Sequence, residues 1–93
     1  MISEEILQKF KDRMRITHSI EDDNLNEILS SSYESIRYNC GEFDIEENRR
    51  GRELVFERSR YVYNDSLEFF EDNFLSEITS FGIDLATRVD AND

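Results

Sequence analysis

No proline occurs in the 93 residues, and the only glycines are Gly41, Gly51 and Gly82. Proline breaks a helix interior by removing a backbone N–H and clashing with the preceding turn, and glycine is the next most disruptive residue. Helices can therefore run long between the glycines, and the apolar residues follow that rhythm. Ser3 is a good N-cap, and after it Ile6, Leu7, Phe10 and Met14 fall on one helical face that ends near Arg15. Thr17, His18 and Ser19 then offer cap residues. Glu21, Asp22 and Asp23 stack acids in a first turn, where the helix dipole favours negative charge. The second helix carries Leu25, Ile28, Leu29, Ser32, Ile36 and Cys40 along one side, and Gly41 stands where a helix-ending glycine belongs.

Beyond Gly41 a polar loop to about Asn48 holds Phe43 and Ile45, which either fold back on the core or meet a partner. A third helix is predicted from about Glu47 to Asn64, with Leu54, Val55, Arg58, Tyr61 and Val62 inside one arc of roughly 120°. Asp65 followed by Glu68 has the form of a capping box, so a fourth helix can start there with the stripe Leu67, Phe70, Phe74, Ile78 and Phe81. Gly82 is expected to close it. Ile83 to Val89 alternates apolar and polar residues in its first half and reads as a short extended tail, with residues 90–93 disordered. The expected architecture is all-α: a small bundle of about four helices with a long third helix, forming one domain over residues 1–82. A C-terminal tail over residues 83–93 contacts a partner.

A chain of this length buries only roughly 60–65 % of the surface its unfolded form exposes. Its apolar fraction, 38 %, is low, yet seven Phe and four Tyr argue for a real core plus some adhesive surface. The formal charge of −11 repels phosphate, which argues against sequence-specific nucleic-acid binding through a broad basic face while leaving room for DNA to pass nearby. That charge is uneven: residues 61–93 hold eight acids against the single base Arg88, whereas residues 49–60 hold five arginines. The single cysteine, Cys40, excludes an intrachain disulfide, and the N-terminus carries neither a basic nor an apolar leader segment, so the chain reads as intracellular when made. No apolar run approaches the roughly 20 residues that span a bilayer, so no membrane partner is expected.

The inventory for catalysis is thin. His18 is the only histidine and Cys40 the only thiol, and Cys40 lies on an apolar stripe where a small buried thiol is the common occupant. Glu21, Asp22 and Asp23 lack the alternate spacing and central glycine of a calcium loop. The three glycines stand alone, without the order of a phosphate-binding loop. No catalytic residue, metal site or cofactor is expected. The arginine cluster Arg49, Arg50, Arg52, Arg58 and Arg60 is either a solvated face paired with Glu53 and Glu57 or a contact to the acidic third of a neighbouring copy. Phe56 and Tyr63 lie about 150° from the centre of the Leu54/Val62 face, next to Arg52 and Arg60, and Tyr38 and Phe69 are similarly off their stripes. Tyr, Phe and Arg are enriched at interfaces, so these six residues are candidate contacts to a subunit or partner.

The order of these pieces resembles the small phage head–tail connector family, the adaptor or head-completion proteins that dock on the portal. The match is carried by Leu7, Phe10-Lys11 and Arg15-Ile16, then by Glu21-Asp22-Asp23-Asn24-Leu25, Ile28-Leu29 and Ile36 up to Gly41. It continues through Tyr61-Val62-Tyr63-Asn64-Asp65 to Phe70, Phe74-Leu75-Ser76-Glu77-Ile78 and Leu85, covering about residues 5–86. The resemblance implies a non-enzymatic structural protein of the virion neck, made in the host cytoplasm. It implies a homo-oligomeric ring, commonly a dodecamer, set between the portal and a downstream connector, stopper or tail protein, with double-stranded DNA passing through unbound. It also implies that the C-terminal segment reaches the portal, which adds Ile83, Leu85 and Val89 to the candidate contacts. The alternative is an acidic regulatory or inhibitory module that binds a basic protein surface by imitating DNA charge.

Overall fold

The termini of the helices follow from local chemistry. The computed structural model of the chain describes residues 2–91, and side chains over residues 2–87. Helix α1 spans Glu4–Met14: the Ser3 side chain accepts a hydrogen bond from the Ile6 N–H at 3.2 Å, and Arg15, left-handed at φ 60°, ends it. Helix α2 spans Asp22–Cys40 and stops at Gly41, whose φ of 119° is strained for any side chain. Helix α3 spans Arg49–Tyr63, started by the Asn48 side chain accepting from the Gly51 N–H at 2.9 Å. A 3-10 turn, Leu67–Phe69, leads into α4, Phe70–Ala91. The fold of the described residues is all-α, as expected.

Three boundaries differ from expectation. The capping box at Asp65 does not form: Asp65 is left-handed at φ 57°, no side chain caps the 3-10 turn, and α4 starts at Phe70. The third helix, at 15 residues, is shorter than α2 at 19 and α4 at 22. The fourth helix does not close at Gly82 but continues through it, so Ile83 to Val89 is helical and not extended, and residues 90 and 91 are helical too. No break marks an 82/83 boundary; residues 92 and 93 of the expected disordered end lie outside the described residues. The reason is packing. Phe81 on one side of Gly82 is fully buried and Leu85 beyond it packs against the core, and the energy of burying them exceeds the roughly 1 kcal/mol helix penalty of glycine.

α2 and α3 form an antiparallel hairpin: Tyr63 reaches Glu21 at one end, and Phe43 of the connecting loop covers Gly51 at the other. α1 packs on one flank of α3, where Phe10 and Phe56 have ring centroids 5.4 Å apart. α4 packs on another, where Tyr61 meets Phe70 and Phe74 edge-on at 5.6 and 5.8 Å. The loop after Gly41 folds back on the core. Phe43 and Ile45 are buried, and the Tyr33 hydroxyl donates to the Phe43 carbonyl at 2.6 Å while accepting from the Ile45 N–H at 3.3 Å. Buried Lys11 of α1 donates to Asp22 at 2.7 Å, tying the first helix to the start of the second.

Candidate interaction surface

The arginine cluster of α3 is spent largely within the chain. Arg50 donates to Ser80 at 2.7 Å, lies 3.9 Å from Asp84, and covers the Phe81 ring. Arg52 donates to the Ile45 and Glu46 carbonyls at 3.1 Å, holding the folded-back loop. Arg58 donates to Ser32 at 3.1 Å; burial lowers its pKa, opposed by the Glu71 carboxylate. Arg60 donates to Glu57 at 2.7 Å, and that bond raises its pKa. Glu53 and Glu57 also hold Arg13 of α1, whose guanidinium sits over the Phe56 ring at 5.2 Å. Of the cluster, Arg49 alone is exposed with no ion pair.

The nine candidate contact residues divide accordingly. Phe56 is 3 % exposed and belongs to the core, so its expected interface role is corrected. The wheel assumed one buried face, but α1 packs on α3 as well as α2 and α4, and Phe56 faces α1. Arg52, Arg60 and Tyr63 are half-buried; the Tyr63 hydroxyl donates to Glu21 at 3.0 Å, which raises its pKa. Leu85 is half-buried over Gly41. The side chain of Val89 lies outside the described residues. Tyr38 on α2, at 90 % exposure, Phe69, and Ile83 at 63 % do face solvent.

What the sequence reading missed is the far side of α4. Leu75 is 58 % exposed, and with Asp72, Ser76, Thr79, Ser80 and Ile83 it lines a shallow groove built from this one helix. The signal was present: Leu75, Thr79 and Ile83 recur every four residues opposite the Phe70, Phe74, Ile78 and Phe81 stripe. Ending the helix at Gly82 severed Ile83 from it. Ile20, in the α1–α2 loop, was missed too and is 88 % exposed. No protein-family model, curated protein or solved structure matches the chain.

The segment that carries this surface is acidic, although Arg50 of α3 reaches its edge at Ser80. No Lys or Arg occurs between residues 61 and 87, whereas Glu68, Glu71, Asp72 and Glu77 all lie exposed there. The two groups capable of nucleophile chemistry are far apart in the hairpin. Cys40 donates to the Ile78 carbonyl at 3.4 Å with its pKa raised by burial, while His18 sits 3.6 Å from Glu21 at the opposite end. Among the described residues no group of three or more His, Cys, Asp or Glu side chains is placed to hold a metal ion, and no helix is long and apolar enough to cross a membrane.

Proposed function

We propose that the chain is a structural virion protein, a ring-forming head–tail connector subunit that docks on the portal and extends the DNA channel toward the tail. The observation that supports this most is the bare outer face of α4. A small domain with a tight core leaves Leu75 and Ile83 on one continuous helix face, with Leu67 and Phe69 exposed in the turn before it. Single exposed apolar residues need no explanation, but Leu75 and Ile83 stand on the same side of α4, about two turns apart across Ser76, Thr79 and Ser80, and such a face suits a protein contact. The helix order that resembles the connector family, and an acidic exterior along which DNA slides without sticking, fit the same reading. The ring would lie at the virion neck, between portal and the next connector or tail protein. Electron microscopy of the purified chain mixed with the portal of the same phage tests it: ring density on the portal is expected, and its absence at saturating chain sinks the proposal.

The second reading, an acidic module that covers a basic surface of another protein, draws on the net charge of −11 and on the internal use of the arginines, which leaves few of them free to meet an acidic partner. It predicts monomers that bind a basic protein with steep salt dependence and do not self-associate.

A further inference from the structure

Between α2 and the start of α4 lies a cleft of about 150 Å³, several times the room that one water needs, and Arg58 of α3 lines it. Ser35 and Asn39 of α2 and Glu71 of α4 form its other polar walls, and Leu67 and Phe70 are among its apolar ones. Arg58 is half-buried and reaches inward to the fully buried Ser32, to whose hydroxyl it donates at 3.1 Å. That hydroxyl is its one protein acceptor, whereas a guanidinium carries five N–H groups in a planar fork. Arg50 and Arg60 of the same helix each have a carboxylate in ion-pair reach, Asp84 and Glu57, but among the described residues Arg58 has none. Glu71 stays exposed beyond that reach and acts on Arg58 only across the cleft. A cation withdrawn from water without a paired anion is costly, so the cleft favours what Arg58 is missing.

We propose that this cleft is a binding site for a carboxylate on a short apolar stem, the chemistry shared by a small organic acid and by an Asp or Glu side chain that a protein presents. The planar Arg58 fork takes the carboxylate, and the stem lies on Leu67 and Phe70. Asn39 donates one amide N–H to the Ser35 carbonyl at 3.0 Å and has a second to give, as does the Ser35 hydroxyl. A phosphate suits the cleft less, because its second negative charge meets Glu71. A cation suits it less too, because Glu71 is exposed to water while Arg58 is the charge that burial leaves short of a partner. Glu71 opposes the arriving carboxylate and so sets how tightly it is held. The cleft shares no lining residue with the groove on the outer face of α4, so this site stands or falls independently of the connector reading.

Nuclear magnetic resonance of the isotope-labelled full chain decides this. Sodium butyrate is titrated in against sodium chloride at equal ionic strength. Saturable shifts are expected at Ser35, Asn39, Leu67 and the Arg58 Nε–H, and chloride should not give them. Arg58→Gln should weaken butyrate about tenfold or more, and Glu71→Gln, at an exposed position, should tighten it about two- to fivefold. No saturable shift, binding unchanged in Arg58→Gln, or affinity unchanged in Glu71→Gln overturns the site. Circular dichroism of the variants comes first; if Arg58→Gln loses its helices, Glu71→Gln carries the test. Butylammonium chloride has the same stem with the opposite charge, and its binding at these residues as tightly as butyrate also overturns the proposal. N-acetylglutamate α-amide, a Glu side chain between blocked backbone groups, separates the two sources. Tighter binding than butyrate assigns the site to a side chain presented by a protein, and butyrate as tight or tighter assigns it to a free acid.

Discussion

α3 meets neighbours on several sides: α1 through Phe56 and Phe10, α2 through the Arg58 to Ser32 hydrogen bond, α4 through Tyr61 and its two Phe partners. α4 is covered only along the stripe of Phe70, Phe74, Ile78, Phe81 and Leu85, and its other side holds Leu75 and Ile83 in water. The two helices came out of the sequence with the opposite description, α3 with a free aromatic and arginine face and α4 as a simple core helix that stops early. A central helix in a small bundle has no single inside. Its apolar residues spread around the wheel because the core does, and its arginines reach over the rim to carbonyls, hydroxyls and carboxylates of the elements around it. A peripheral helix with apolar residues on two opposite sides can satisfy only one within the chain.

The sharpest way to break this contrast is to truncate one apolar side chain on each helix. Phe56→Ala should cost about 3–5 kcal/mol in urea unfolding, because a large ring is removed from a packed core. Leu75→Ala should stay within about 0.5 kcal/mol. Equal losses would mean that the α4 face is not bare. Next in size is Gly51→Ala on α3. A Cβ there would lie 2.3 Å from the Phe43 ring, so the loop must shift, at a cost of about 1–3 kcal/mol read as a lowered denaturation midpoint.

The same substitution on α4 should have the opposite sign. A Cβ at Gly82 would lie nearest to Cys40, at 3.6 Å from its Cα, 3.7 Å from its carbonyl oxygen and 3.9 Å from its Cβ, all ordinary contacts, so Gly82→Ala should stabilise the chain by about 0.5–1 kcal/mol through helix propensity and a less flexible unfolded state. A loss of stability there would show that α4 is strained across Gly82. The smallest effect concerns the α3 terminus. The Glu21 carboxylate, by accepting the Tyr63 hydrogen bond, holds the phenol above its ordinary pKa. The folded state thus favours the protonated phenol, and that contribution is present below pH about 10 and lost as pH rises through the raised value. Tyr63→Phe should lower the urea midpoint slightly at neutral pH and flatten its alkaline decline. An unchanged alkaline slope would remove the linkage.

Much of the fold was legible because it depends on neighbours in sequence. Ser3 as a cap, the turn at Arg15, the glycine stop at Gly41 and the stripes of α1 and α2 all rest on local hydrogen bonding and helical period, and they stand as read. Asp65 was read as a cap but takes a left-handed turn, because the chain must reverse to lay Phe70 against Tyr61. The candidate contacts fared unevenly for the same kind of reason. Tyr38, Phe69 and Ile83 lie on the outside of their helices whatever packs on the other side, whereas the fate of Phe56 depended on where α1 came to rest.

What the sequence by itself determined is therefore an acidic, proline-free, all-α chain with its helices marked at most ends and three of its core stripes correctly placed. Only the tertiary structure decided that α3 is the central helix, that its arginines are consumed within the chain, and that α4 runs on through Gly82 with a bare face holding Leu75 and Ile83. The physical reason is one of range. Caps and periodicity act over a single helical turn, while burial is set by which distant helix arrives on each side, and a helical wheel carries no record of that.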